Sequence, residues 1–298
     1  MLFKNAYLYR ITSDFEYSSE ELEQELEKCL FKPCSGIRPS SFGWISPLGD
    51  ANGPLTHEVA GCTLLCAKRE DKIVPPSALA DVLAEKIERI EELEGRKIRS
   101  KEKLRLKDDA LAELLPRALP RSKQIQGYIS PADNLLVVGT SSVQEAELFI
   151  NCLRESLGSF AVVPPQVKSK PTEVFTHWIN TRKLPDHFEL GDACDLVDLE
   201  DGGTVTCRKQ DLGSQEIRSH IDAGKICTRI ALRWHGDMRF TVDNDVALKQ
   251  IKVESSDDSG EYEDDPIALL DAAFVNMTLE FGRLLPALFS ALGGETKG

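Results

Sequence analysis

Five carboxylates fall within one short stretch of this chain: Asp192, Asp195, Asp198, Glu200 and Asp201. Clustered carboxylates are what a metal-dependent nucleic-acid-processing enzyme needs, because two-metal phosphoryl transfer holds its ions between acids from several elements. Asp195 and Asp198 share a face if the segment is helical. Against this reading, the cluster ends in Asp201-Gly202-Gly203, a turn signal, and no partner acid on a neighbouring strand is evident. The plainer alternative is a solvated acidic surface that repels polyanions from the wrong face of the protein.

The opposite charge is concentrated elsewhere. Between Gly95 and Lys123 the chain reads GRKIRSKEKLRLKDDALAELLPRALPRSK. Arg96, Lys97, Arg99, Lys101, Lys103, Arg105 and Lys107 succeed one another with only Glu102 opposing them, and Arg117, Arg121 and Lys123 follow. The whole protein carries a net charge of −13. An acidic protein that gathers its cations on one surface still binds a polyanion there. Lysine and arginine neutralise phosphates and release counterions, an affinity independent of base sequence. The segment has no aromatic residue on which single-stranded bases would stack, which favours the backbone of a duplex. No zinc finger, RNP motif or recognition-helix signature accompanies it, so sequence-specific readout is not expected. Two other readings stand beside this one: an exposed, solvated helix, and a scaffold that docks an acidic protein partner. Smaller basic sets occur at Lys68, Arg69 and Lys72, and at Arg208, Lys209 and Arg218 with Lys225 and Arg229 beyond; Gln210 adjoins the second set.

Other chemistries find little support. The histidines, at 57, 177, 187, 220 and 235, fall in neither HExxH nor a nucleophile elbow. There is no Walker A loop and no GxGxxG, so no nucleotide cofactor is expected, nor any other. The eight cysteines sit mostly in apolar, strand-like or helical contexts and read as structural thiols; Cys62 and Cys66 lack the spacing and the partners of a zinc site. No apolar run approaches the ~20 residues that span a bilayer, and the first residues lack the pattern of a secretory signal. The expectation is a cytoplasmic protein without a membrane partner.

The elements that must position these residues point to an α+β fold of antiparallel sheets with packed helices and a helical projection. Phe3–Ile11 alternates as a strand, and Ser18-Ser19 cap an amphipathic helix. The Gly-, Pro- and Ser-rich stretch 33–55 reads as turns, followed by a strand from Gly61. Pro75 and Pro76 open a long helical pattern over 77–98, and Asp108–Leu115 gives a short helix closed by Pro116. Two strands follow within 126–139, then a helix over 142–157 and a linker over 161–173. The second half predicts a helix from Pro171, strands at 204–212, 225–234, 238–245 and 248–253, a helix at 214–223, an acidic loop over 254–265 and an apolar C-terminal helix. Three regions result: an N-terminal α+β region (1–75 and 124–165), a basic helical projection (76–123) and a C-terminal α+β region (166–298). CTLLCAKRED and TVTCRKQDL each lead from a strand into a helix, as either an internal duplication or a coincidence of short motifs.

Several long segments resemble the bacterial recombination-associated RdgC family. They include MLFKNAYLYR, FKPCSGIRPSSFGWISPLG, LTHEVAGCTLLCAKREDKIVP, LKDDALAELLPRALPRSK, SLGSFAVVP, LEDGGTVTCRKQDLGSQEI and HIDAGKICTRIALRW. They cover essentially the whole chain in the family's order. The resemblance implies a non-enzymatic, nucleoid-associated protein. Its horseshoe-like subunit closes into a ring-shaped homodimer, encircles double-stranded DNA with little sequence preference and limits access of the RecA recombinase. It places Lys209 and Gln210 in an element implicated in DNA handling. It also places Leu119, where an aromatic can occur in the family, at one ring-closing contact. The C-terminal helix, through Phe281 and Leu285, serves either the other contact or the core.

Overall fold

Local sequence accounts for most elements of the computed structural model, which describes residues 2–50, 52–253 and 265–296. The acidic stretch 254–264 lies outside the described residues. The first strand, β1 (Tyr7–Ile11), is shorter than the expected Phe3–Ile11, and it buries Leu8 on one face and Tyr9 and Ile11 on the other. Helix α1 (Ser19–Leu26) starts on a capping box: the Ser18 hydroxyl accepts from the Glu21 N–H, and the Glu21 carboxylate accepts from the Ser18 N–H. The stretch expected to be turns contains β2 (Ser40–Ile45). Glycine at 43 is what allows this strand to lie close to its neighbour, since a Cβ there would stand 2.6 Å from the Phe31 backbone. Trp44 anchors it, fully buried, with its indole N–H donating to Ser156 Oγ at 2.9 Å. Strands β3 (Thr56–Val59) and β4 (Cys62–Ile73) follow.

The projection is a helical hairpin, α2 (Pro76–Glu94) and α3 (Ser100–Leu114), broken at Gly95 in the left-handed region (φ +62°). A single 3-10 turn (Leu115–Arg117) ends it. Strand β5 (Leu119–Ser130) then pairs with β4 along its whole length, from Ile73–Leu119 to Thr63–Ile129. Residues 119–123 therefore belong to a strand and not to the projection. Next come β6 (Leu135–Val138), α4 (Val143–Leu157), β7 (Val162–Val163) and α5 (Pro171–Thr181).

The acid-rich segment is β8 (Phe188–Val197) rather than a helix, so Asp195 and Asp198 do not share a helical face. Cys194 and Leu196 alternate into the core and set its register. Strand β9 (Thr204–Arg208), helix α6 (Gln215–Asp222) and strands β10 (Ile226–Trp234), β11 (Met238–Asp243) and β12 (Leu248–Val253) precede the long α7 (Pro266–Ala291). The two look-alike segments occupy different places: β4 is interior to its sheet and β9 is an edge.

The strands form two antiparallel sheets, ordered β2-β4-β5-β6-β1-β7 (with β3 also on β4) and β12-β11-β10-β8-β9. Residues just before β1 join them. Ala6 bridges Leu248, and the Ile251 N–H donates to the Lys4 carbonyl at 2.8 Å. One face of the first sheet packs on α1 and α4. Its other face shares a core with α5, α6, α7 and the inner face of the second sheet. Phe281 (0% exposed) and Leu285 (3%) lie in that core, so the core reading of these two holds and their side chains offer no surface to a second copy. None of the described helices is long and apolar enough to cross a membrane.

Candidate nucleic-acid interface

Two of the seven cations of the basic run, Arg96 and Lys97, are bound to acids at the hairpin turn, while Arg105 and Lys107 are exposed and without an ion pair among the described residues. Between residues 76 and 117 the chain carries ten Lys/Arg and ten Asp/Glu side chains, most of the acid on α2. At the hairpin turn, Arg96 pairs with Glu94 (2.6 Å) and Glu102 (2.8 Å), and Lys97 with Glu91 (2.7 Å). Glu91 also accepts the Ile98 N–H, and Lys86 reaches Glu113 across the hairpin at 2.8 Å. Hydrogen bonds from Lys97, Arg96 and Lys86 hold the Glu91, Glu102 and Glu113 carboxyls below the usual range. Arg96 and Lys97 thus close the turn. Arg99, Lys101 and Lys103 are exposed and have no ion pair among the described residues. The hairpin buries little: Ala110 is the one fully buried residue of its two helices.

The β4–β5 ribbon divides its cations similarly. Arg117 and Arg121 are exposed. Lys123 is bound to the buried Glu145 at the start of α4 (2.6 and 2.8 Å), and Thr140 donates to the same carboxylate. Burial alone would raise the Glu145 carboxyl. The hydrogen bonds from Lys123 and Thr140, with the charges of Lys123 and Arg69, override it and hold the group below its ordinary value. At the ribbon's end, Leu119 (79% exposed) stands in register with Ile73 (50%), a small apolar patch open to solvent.

The outer face of the second sheet is different. Strand alternation sends Arg229, Ala231 and Arg233 to this face while Ile230, Leu232 and Trp234 face the core. Arg233 stands directly opposite Arg239 on β11, and Arg239 opposite Lys252 on β12. Cations from three strands thus stand side by side on this face. Glu189 on β8 faces the far side of Arg233. Arg208 ends β9, and Lys209 turns the chain in the left-handed region (φ +53°). The Gln210 N–H donates to the Asp192 carbonyl at 3.0 Å, leaving its side chain exposed. Both Arg208 and Lys209 line a shallow cleft of about 640 Å³ that crosses the sheet to Lys252 and reaches Lys4. Lys4 also borders the groove that runs to Lys123 and Gln124 on β5, so the cationic surface continues from one sheet to the other. Among the described residues Lys4, Arg208, Lys209, Arg233 and Lys252 have no ion pair.

Three acids of this region are tied individually, while Asp192 also lines the cleft. Asp195 pairs with Arg229 (2.8 Å), Asp243 with Lys249 (2.7 Å) and Asp198 with Lys225 (3.1 Å). The Asp198 carboxyl is held low first by the Glu200 N–H and then by Lys225. Among the described residues, His, Cys, Asp and Glu form no group of three placed to hold a metal. The metal-dependent reading is not supported: two of its five carboxylates, Asp195 and Asp198, are taken by separate cations, and the cluster lies on a strand and a turn. The thiols are buried or half-buried and form no disulfide among the described residues, and burial pushes Cys66 and Cys194 up to about 12.

Sequence reasoning singled out Arg208, Lys209 and Arg229 but missed Lys4, Arg233, Arg239 and Lys252. The signal was present in the polar positions of CTRIALRW and MRFTVD, which repeat every second residue and carry arginine.

Comparison with known proteins agrees over the full length. The family model described as "Putative exonuclease, RdgC" matches residues 1–295. The chain is 42% identical to the recombination-associated protein RdgC of Aeromonas hydrophila subsp. hydrophila, with 99% of each chain covered. It is 41% identical to that of Tolumonas auensis (99% of each) and 38% identical to that of Pseudomonas aeruginosa (99% of this chain, 98% of the relative). These relatives are named for recombination and not for catalysis. An α+β chain with two antiparallel sheets and this end-to-end similarity belongs to the RdgC family.

Proposed function

We propose that this protein binds double-stranded DNA without sequence preference through the outer face of its second sheet. One observation carries the reading. In a chain of net charge −13, five cations without ion pairs among the described residues (Lys4, Arg208, Lys209, Arg233 and Lys252) line one face, with Arg239 set between two of them. A polyanion meets these five cations and releases counterions as it docks. The face has arginines, lysines and threonines where a base-stacking platform would have exposed aromatics, which suits a duplex backbone. Lys209 and Gln210 sit at its rim. Arg99, Lys101, Lys103, Arg117 and Arg121 add a second, weaker contact from the projection.

Family membership supports the rest of the reading: a homodimer closed into a ring around duplex DNA, resident on the nucleoid in the cytoplasm, that limits access of the RecA recombinase. Two-fold closure needs two self-complementary contacts. The Ile73–Leu119 patch suits one, being apolar, exposed and at the tip of the ribbon. The other falls to residues other than Phe281 and Leu285.

The test compares linear and covalently closed duplex of one sequence across a salt series, with wild type and Leu119→Asp. Encirclement predicts complexes on closed circles that outlast high salt while those on linear DNA slip off. It also predicts that the Leu119→Asp variant loses this difference but keeps low-salt affinity. Equal loss on both forms by wild type makes the protein an ordinary surface binder. Absence of any DNA binding at low salt overturns the reading.

A further inference from the structure

A second cleft lies far from the basic chemistry, between α7 and the turn joining β5 to β6. Thr278, Gly282, Pro286 and Ser290 stand at four-residue spacing, so one stripe of α7 presents only small side chains to it. Gly282 is its centre. A Cβ placed there would meet nothing within 4 Å, although glycine weakens a helix interior relative to alanine. No close contact demands this glycine, and its effect is to keep about 450 Å³ open, a volume in the range of small-molecule sites.

The cleft is also bordered by a tyrosine whose ring is buried and whose hydroxyl opens on the cleft. Tyr128 is 2% exposed, its ring set between Phe3 and Phe274 at 6.2 and 5.7 Å. Its hydroxyl borders the cleft near Cys62 and Asp133 and has no hydrogen-bond partner among the described residues. That hydroxyl is therefore free to bond a polar group that enters the cleft. The charges at the rim are unequal. Arg10 is held by both oxygens of Glu295 (2.7 and 2.6 Å), donates to the Asp133 carbonyl and lies over the Phe289 ring at 5.2 Å. Asp133 accepts from Ser130 through Oδ2 only. One cation faces two carboxylates, so the site disfavours anions, in contrast to the basic sheet face.

We propose that this cleft binds a small planar molecule, neutral or cationic. Its ring would lie in the space over Gly282 against Leu135 and Phe289, with an acceptor for the Tyr128 hydroxyl and a donor toward Asp133. The inference does not depend on how the protein binds DNA.

Titration of the full chain with benzamidine, indole and benzoate, followed by protein NMR, tests it. Saturable binding in about the millimolar range is expected for benzamidine, weaker binding for indole and none for benzoate. Gly282→Leu, which fills open space, should weaken benzamidine by at least roughly tenfold while thermal stability and DNA binding stay at wild-type level. Tyr128→Phe keeps the ring and should cost roughly fivefold by removing one hydrogen bond. Failure of all three probes to saturate the wild type overturns the proposal. So does benzoate binding as well as benzamidine, or wild-type affinity in the Gly282→Leu variant.

Discussion

The α2–α3 hairpin and the outer face of the second sheet are both rich in arginine and lysine, and they use them in opposite ways. In the hairpin, a run of like charge along the chain becomes mixed charge in space. A helix turns successive residues to different sides, and the antiparallel return lays the basic segment beside the acidic α2. Arg96, Lys97 and Lys86 end on Glu102, Glu91 and Glu113. In the sheet, cations that are sparse along the chain become dense in space. Alternation brings every second residue to one face, and strand pairing stacks Arg233, Arg239 and Lys252 side by side. Charge density read along a sequence is therefore a poor guide to the field a ligand meets unless the secondary structure is applied first.

The sharpest way to break this comparison is to neutralise the sheet. The triple variant Arg208→Ala/Arg233→Ala/Lys252→Ala should lose roughly 100-fold in duplex affinity near 0.1 M salt. Its salt slope should fall by about 2.7, at ~0.9 per phosphate contact. Fluorescence anisotropy on two unrelated duplex sequences measures both quantities, and the loss should be equal on the two. A triple variant with wild-type slope removes the sheet face from the interface.

Much of the fold was readable because local rules and tertiary packing agree. The capping box at Ser18, the alternation in β10 and β11 and the apolar α7 all stand where pattern places them. The exceptions have physical causes. Strand β2 was hidden because close approach to Phe31 selects Gly43 and the surrounding residues are turn formers. Strand β8 was hidden because aspartate is depleted in strands and register shifts between Leu190 and Cys194 interrupt its alternation. The extent of β5 was hidden because Pro116 and Pro120 flank its start, and its first residues are all exposed. The candidate site was legible only in part, at Arg208, Lys209 and Gln210. Ion pairing within the hairpin is a tertiary fact, and so is the junction that brings Lys4 beside Ile251.

A smaller effect sharpens the comparison at Lys123, a cation that structure and ligand would both claim. Its bond to Glu145 assigns it to the fold. Glu145→Gln should destabilise the protein by about 1–2 kcal/mol at neutral pH, a figure moderated by the half-exposed Lys123. Because the folded Glu145 carboxyl is depressed, its contribution is present above its ordinary value of 4.5 and is lost as pH falls through the folded value. Urea unfolding of wild type and variant should therefore differ most near neutral pH and converge only as the pH falls below the depressed carboxyl value. A constant difference down to acid pH would mean that the ion pair is not its source.

The least effect is expected where the sequence looked most basic. Lys101 and Lys103 are exposed on α3 and have no ion pair among the described residues, so they are free to meet phosphate. Yet they project from a hairpin whose charges cancel over residues 76–117, and the field there is weak beyond a Debye length of about 10 Å at 0.1 M salt. Lys101→Glu/Lys103→Glu should change duplex affinity by no more than about threefold at that salt, with a slope reduced by less than about 1. The double charge reversal is a harsher change per residue than the alanines in the sheet, which makes the contrast a demanding one. If it costs as much as the sheet triple, the hairpin grips the DNA directly, and the run of charge along the chain was the better guide after all. If the ordering holds, the acids of α2 blunt the field of the hairpin's cations, and the sheet is where the polyanion is held.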